Sequence, residues 1–211
     1  MEEVKTDGII FDLDGTLWDS RQQVADAWNI TLKRLGEDFR TVTVEDLTRT
    51  MGMLMEDIFL KLFPHLPRER VLEAGRICCD EEVEYVAAHA GLLYDGVRET
   101  LEELSGRFPL AVVSNCQAGY IEAFYTSCGM GGYFKDLENP GRTGLPKADN
   151  IRLVAERNGM KNPVYVGDTA GDADAAKKAG VPFIYASYGF GSVKEYAARI
   201  DSFRELAGLF N

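Results

Sequence analysis

The chain has 211 residues, 45% hydrophobic and 27% charged, a composition that supports a sizeable core and excludes a disordered protein. Its 34 acidic and 23 basic residues give a net charge of −11, which disfavours binding to nucleic acid or anionic membranes, since both are polyanions. The acidic start, residues 1–7, is followed by no apolar signal segment, and no apolar stretch is long enough to span a bilayer. The four cysteines show no C-x-x-C spacing, so we expect reduced thiols in a cytoplasmic protein.

The first predicted element is a short apolar strand over residues 8–11. It stops at Asp12-Leu13-Asp14-Gly15-Thr16, where two carboxylates and a glycine follow a buried segment. Such a strand end is typical of an open α/β sheet, which binds ligands at the carboxyl ends of its strands.

Helical patterns then fill residues 20–90 without a strand signal. Ser20 opens a capping-box pattern for a helix that Gly36 ends, and Thr43 is a candidate cap for a second helix. Two further helices follow, the last from about residue 68 to about 88. This region therefore predicts an all-helical unit with its own small core.

Several side chains of this helical unit are predicted to have structural roles only. Trp28 lies at helical spacing within the apolar stripe and is expected in the core. His65 and His89 are expected on the surface. An acidic run in the last helix predicts a solvated face; its members are Asp80, Glu81, Glu82 and Glu84.

Beyond residue 92, apolar strands alternate with helices. Strands are predicted at 110–113, 164–166 and 183–185, and this alternation implies right-handed crossovers and a parallel sheet. The predicted fold class is α/β, a doubly wound parallel sheet built from residues 1–16 and 92–211. An all-helical cap, residues 17–91, is inserted after the first strand and would stand over the carboxyl edge of the sheet.

Polar residues with no packing role cluster at the predicted strand ends. They are Asp12 and Asp14, Ser114 and Asn115, Asp168 and Asp172, and Lys147 before a helix. Several carboxylates in one crevice repel each other unless a cation binds, and oxygen ligands without histidine or cysteine favour Mg²⁺. An amine, a hydroxyl and an amide would add donors for phosphate. The pattern predicts a phosphoryl-transfer site in which either Asp12 or Asp14 is the nucleophile.

These motifs resemble those of the haloacid dehalogenase superfamily, on the side of its phosphoglycolate-phosphatase-like hydrolases, over nearly the whole chain. The family's first motif, D-x-D-G-T-[LV], is matched by residues 12–17, its second by Ser114-Asn115, and its fourth, G-D-x-x-x-D, by residues 167–172. Lys147 fits the third motif, although the order here is Pro146-Lys147-Ala148 where relatives often have Lys-Pro. Lys135 and Lys161 are the rival candidates.

The resemblance implies a role for each matched residue. Asp12 would attack phosphorus, and Asp14 would protonate the leaving oxygen and then activate water. The other expected roles are phosphate binding by Ser114, Asn115 and Lys147, and Mg²⁺ binding by Asp12, the Asp14 main-chain carbonyl, Asp168 and Asp172. The cap segment with Arg49, Thr50 and Gly52 is expected to lean over the site and select the substrate.

The resemblance favours a Mg²⁺-dependent phosphatase for a small phosphorylated metabolite, such as phosphoglycolate, a sugar phosphate or a nucleotide. A phosphomutase like β-phosphoglucomutase is the alternative, although mutases commonly carry valine where this chain has Thr16. A non-enzymatic receiver-type regulator would lack the helical insert. The sequence leaves the substrate and the oligomeric state open.

Overall fold

The computed structural model describes residues 5–210, so the first four residues of the acidic start lie outside it. A six-stranded parallel sheet, with strand order β5-β4-β1-β6-β7-β8, forms its centre. The strands in chain order are β1 (Gly8–Phe11), β2 (Trp18–Asp19), β3 (Leu92–Leu93), β4 (Leu110–Val113), β5 (Asp136–Glu138), β6 (Pro163–Gly167), β7 (Phe183–Ala186) and β8 (Ala198–Ile200). This arrangement confirms the predicted fold class.

Helices cover both faces of the sheet and form the region between β1 and β4. The helices are α1 (Arg21–Leu35), α2 (Val44–Thr48), α3 (Met55–Leu62), α4 (Arg68–Ala88), α5 (Val97–Ser105), α6 (Tyr120–Cys128), α7 (Pro140–Thr143), α8 (Lys147–Arg157) and α9 (Ala170–Ala179). Short 3-10 helices span Gly131–Tyr133 and Phe203–Leu209. No helix among residues 5–210 is long and apolar enough to cross a bilayer.

The central strand β1 is completely buried because its alternating side chains pack into two separate layers. Ile9 and Phe11 belong to the apolar cluster that contains α5 and α6, whereas Ile10 belongs to the cluster that contains α8 and α9. Ile10 lies in register with Ala111 of β4 and Tyr165 of β6. The carboxyl ends of β1, β4 and β6 therefore meet at one edge of the sheet.

Helices α1 to α4 pack together beside that edge. Trp28 is buried as predicted and packs against Phe59 in a tilted arrangement, with ring centroids 4.6 Å apart. Where the chain leaves and rejoins the sheet, β2 and β3 pair antiparallel, a ribbon that the sequence did not predict. The division into a core of residues 1–16 and 92–211 and a cap of residues 17–91 stays a prediction.

Some local predictions in the helical region are confirmed by the structure, and others are wrong. Thr43 caps α2 through a capping box with Asp46, as expected. The capping box predicted at Ser20 is wrong, because the Ser20 hydroxyl makes no bond to its helix and donates to Asp14 instead. The solvated acidic face is wrong at Glu82, which is only 2% exposed. His65 and His89 are exposed, as predicted.

Candidate active site

Three carboxylates converge where β1 and β6 end and α9 begins. Asp12 follows β1, Asp168 follows β6, and Asp172 lies in the first turn of α9. One oxygen from each of the three carboxylates lies within 4.8 Å of the others, and all three side chains are buried. Thr169 forms a capping box with Asp172, which fixes that carboxylate at the start of the helix.

Lys147 lies at the first position of α8 and points into this carboxylate cluster. Its Nζ donates hydrogen bonds to Asp12 Oδ1 at 2.8 Å and to Asp172 Oδ1 at 2.7 Å. The rival lysines, Lys135 and Lys161, lie on the exposed surface. The structure thus brings Lys147, and neither rival, to the predicted site.

The cluster holds three buried carboxylates against one ammonium group. Burial, together with the charge of Asp172, raises the pKa of Asp12 and of Asp168. Burial opposes the charge on Lys147, but attraction by Asp12 and Asp172 keeps the Lys147 pKa well above its ordinary value. The surroundings of Asp12 and Asp168 therefore favour uptake of a proton or a cation.

A cation is the better fit to the oxygen atoms present. Asp168 Oδ2 accepts a hydrogen bond from the Phe190 backbone, whereas Asp168 Oδ1 is buried without any hydrogen-bond partner. A buried carboxylate oxygen without a donor is costly unless something positive binds it. The donors near it are carboxylates, the ligands preferred by hard divalent cations such as Mg²⁺.

Asp14 has quite different surroundings from Asp12. Its Oδ1 accepts hydrogen bonds from Trp18 Nε1 at 2.9 Å, Ser20 Oγ at 2.6 Å and Tyr120 OH at 3.1 Å. Burial raises the Asp14 pKa, and the three donors oppose that rise. Ser20 and Tyr120 were not predicted at the site; the Ser-x-x-Gln pattern at Ser20 pointed to a helix cap instead.

Ser114 and Asn115 follow β4 and complete the core side of the site. Ser114 is buried beside Asp12 and Asp14 in the cavity lining. Asn115 Nδ2 donates to the Gly52 carbonyl at 3.0 Å, and its Oδ1 is buried without a partner. The Asn115 amide thus joins the core to the cap segment around Gly52.

A small cavity of about 40 Å³ lies between these core residues and the helical region. Thr50 and Gly52 line the cavity, although the Thr50 hydroxyl donates to carbonyls of the preceding helix α2. Arg49 lies outside the lining, and its guanidinium pairs with exposed Glu45. The side of the cavity formed by the helical region is called the cap wall below, and much of it is apolar. Its apolar side chains are Val24, Trp28, Leu47, Met51, Met53, Met55 and Ile58.

Glu82 is a further member of the cavity lining that sequence reasoning missed. Its carboxylate accepts a hydrogen bond from Trp28 Nε1, and burial raises its pKa to about 8. A signal was present in the sequence, because Cys78, Glu82 and Val86 follow one another at four-residue spacing. All three are buried on the same side of α4.

Comparison with known proteins defines the class to which this fold and site belong. The family model for haloacid dehalogenase-like hydrolases matches residues 9–186. The chain therefore belongs to the haloacid dehalogenase-like hydrolase family, as its motifs indicated.

Individual relatives narrow the class to phosphatases. The chain is 31% identical to a phosphoglycolate phosphatase of Aquifex aeolicus, over 86% of this chain and 85% of that protein. It is 29% identical to a phosphoglycolate phosphatase of Shigella boydii, over 87% and 82%. A haloacid dehalogenase-like hydrolase of Streptococcus pneumoniae shares the fold, with a TM-score of 0.83, 22% identity and coverage of 97% and 98%. The protein is a phosphatase of the phosphoglycolate-phosphatase-like type.

Proposed function

We propose that this phosphatase hydrolyses a small phosphorylated metabolite through an aspartyl-phosphate intermediate on Asp12, with Mg²⁺ as its cofactor. The observation that carries the proposal is the buried cluster of three carboxylates and Lys147, of which Asp12 also lines the cavity. Its excess of carboxylates suits a bound cation, and its position suits attack on a phosphate held above it.

The two aspartates of the first motif divide the chemistry between them. An oxygen of Asp12 forms a bond to phosphorus while the ester P–O bond breaks, and Asp14 gives its proton to the departing oxygen. Asp14 then takes a proton from water, whose oxygen attacks phosphorus and frees Asp12. The raised pKa of Asp14 favours the protonated form that the first step requires.

The remaining residues hold charge in place. Asp12, Asp168, Asp172 and the main-chain carbonyl of Asp14 would hold Mg²⁺, which neutralises charge on the phosphoryl group when bound. Lys147 keeps the Asp12 carboxylate oriented, and the Ser114 hydroxyl faces the cavity as a phosphate donor. The side-chain amide of Asn115 already donates to the main-chain carbonyl of Gly52. We therefore assign Asn115 mainly to holding the helical region against the core, and only secondarily to phosphate binding.

The small cavity favours small metabolites over phosphorylated proteins or nucleic acid. Phosphoglycolate, a sugar phosphate and a nucleotide are the candidates, the first because relatives carry that name. Matches to phosphatases favour hydrolysis over the mutase alternative. All four cysteines are free, in keeping with a cytoplasmic location, which stays a prediction.

Phosphate release tests the proposal. Release would be measured from acetyl phosphate, p-nitrophenyl phosphate and small phosphate esters, with Mg²⁺ and with a chelator. We expect Mg²⁺-dependent release that falls at least about 1,000-fold in Asp12→Asn. Asp174→Asn, on the exposed side of α9, is the matched control and is expected to retain activity. Full activity in Asp12→Asn, or equal rates with chelator, would contradict the proposal.

A further inference from the structure

The cap wall of the cavity contains one ionisable side chain, Glu82. Among the described residues that line the cavity, none is lysine, arginine or histidine. Its core wall already contains the carboxylates of Asp12 and Asp14. A substrate in this cavity therefore has its phosphate at the Asp12 end and its leaving group beside a cap wall that is apolar except for one carboxyl group.

Glu82 is held in that wall by groups that do not neutralise it. Trp28 Nε1 donates to one of its oxygens, and the polar groups of Trp28 and Gln117 partly offset the effect of burial on the Glu82 pKa. At 2% exposure, an ionised carboxylate without a cation is costly to keep in the fold, and the Glu82 pKa is raised for this reason. The hydrogen bond from Trp28 does not by itself explain an acid at this position, because the side-chain oxygen of a glutamine would accept the same bond.

We propose that Glu82 receives the leaving group of the substrate, and that this group carries a hydroxyl or ammonium donor and no carboxylate. The inference rests on the proposed function, since it concerns the same cavity. It separates this protein from a phosphatase built for phosphoglycolate, whose leaving group is a carboxylate-bearing alcohol.

The basic residues near the cavity have other positions or partners. Lys147 already binds two carboxylates, and Arg49 pairs with Glu45 on the surface. Arg76 lines an adjoining groove and is exposed. A second negative charge on the substrate would thus enter a cavity whose lining offers no cationic side chain to pair with it, which electrostatic complementarity disfavours.

Three phosphate esters of similar length test the inference: hydroxyethyl phosphate, phosphoethanolamine and phosphoglycolate. In the wild type we expect kcat/KM for the hydroxyl or the amine ester to exceed that for phosphoglycolate by about tenfold or more. The better of the two esters identifies which donor Glu82 receives.

Glu82→Gln keeps an acceptor for Trp28 and removes the acid. In this variant we expect the preference over phosphoglycolate to shrink by about tenfold, because the acid that receives the donor is gone. The exposed neighbour Glu84→Gln is the matched control and should keep the wild-type ratio. Should Glu82→Gln fail to fold, the wild-type ranking of the three esters still decides the inference.

Two results would overturn it. Preference of the wild type for phosphoglycolate would mean that Glu82 shares a proton with a substrate carboxylate. An identical ratio in wild type and Glu82→Gln would leave Glu82 with a structural role only. If no ester is hydrolysed, the proposed function fails instead, and calorimetric binding of the same three esters still ranks them for or against the inference.

Discussion

The two walls of the active-site cavity differ in how they are built. The core wall concentrates charge: Asp12 and Asp14 line the cavity, and Lys147, Asp168 and Asp172 lie next to Asp12 outside the lining. The cap wall is apolar apart from Glu82. Charge that acts on the phosphoryl group is thus placed on the sheet edge, whereas the helices surround the part of the substrate that differs between enzymes.

This difference indicates that the core wall carries out the chemistry and that the cap wall selects the substrate. The sheet edge is fixed by the register of β1, β4 and β6, so its polar residues keep their mutual distances. The helical region packs beside that edge through α4 against α6, and the Asn115 amide donates to the Gly52 carbonyl. We therefore expect substitutions on the core wall to abolish turnover and substitutions on the cap wall to change preference.

The largest effect is expected from Lys147→Met on the core wall. Activity should fall by about 100- to 1,000-fold, because a charged donor beside the reacting groups is lost. The free energy of unfolding should fall by about 3–5 kcal/mol, since buried Asp12 and Asp172 lose their partner. Phosphate release and urea denaturation measure the two effects. Exposed Lys161→Met is the control, and near-wild-type activity in Lys147→Met would contradict the assignment.

Mg²⁺ is expected to stabilise the core wall measurably. At one hundred times its dissociation constant, a cation adds about 2.7 kcal/mol to the free energy of unfolding. Thermal unfolding with and without Mg²⁺ should show this shift, and Asp168→Asn should lose most of it because the unpartnered Oδ1 is replaced. An undiminished shift in Asp168→Asn would place the cation elsewhere.

On the cap wall, Glu82 should make stability depend on pH. Burial raises its pKa from 4.5 to about 8, so the folded state keeps a proton that the unfolded state releases. The stabilising contribution is full below about pH 4.5 and is lost as pH rises through about 8. The stability difference between wild type and Glu82→Gln should therefore change by about 3–5 kcal/mol across this window. Parallel denaturation curves would contradict the shift.

The smallest effect is expected at the junction between the walls. Asn115→Ala removes the bond to the Gly52 carbonyl, worth about 1 kcal/mol, and kcat/KM should fall by roughly fivefold. Steady-state kinetics would measure this loss of kcat/KM, with Ser114→Ala assayed in parallel for comparison. A loss in Asn115→Ala as large as that in Ser114→Ala would mean that Asn115 binds phosphate directly.

The core wall was accessible to sequence reasoning, and the reason is physical. Asp12, Ser114 and Asp168 each directly follow a short apolar strand, so parallel pairing alone brings them to one edge. Lys147 was placed by position before a helix, and its bonds to Asp12 and Asp172 agree with that placement.

The rest depended on contacts between distant segments. Edge strands β5 and β8 are three residues long and carry polar side chains, so no apolar run marks them. Ser20 has the sequence pattern of a helix cap, but its hydroxyl donates to Asp14, which lies in the preceding segment after β1. Glu82 lies within an acidic run whose other members are more exposed, so the run as a whole indicates a solvated face. Only the four-residue spacing of Glu82 from buried residues of α4 indicates that it is buried.

The central claim is that Asp12 carries the phosphoryl group, and trapping it is the most direct test. Enzyme turning over acetyl phosphate with Mg²⁺ would be quenched in acid, treated with borohydride and digested for peptide mass analysis. An acyl phosphate at Asp12 is predicted to be reduced to homoserine, only in the protein exposed to substrate. Homoserine at Asp14, or an unmodified Asp12 peptide from an enzyme shown to be turning over at the quench, would contradict the account.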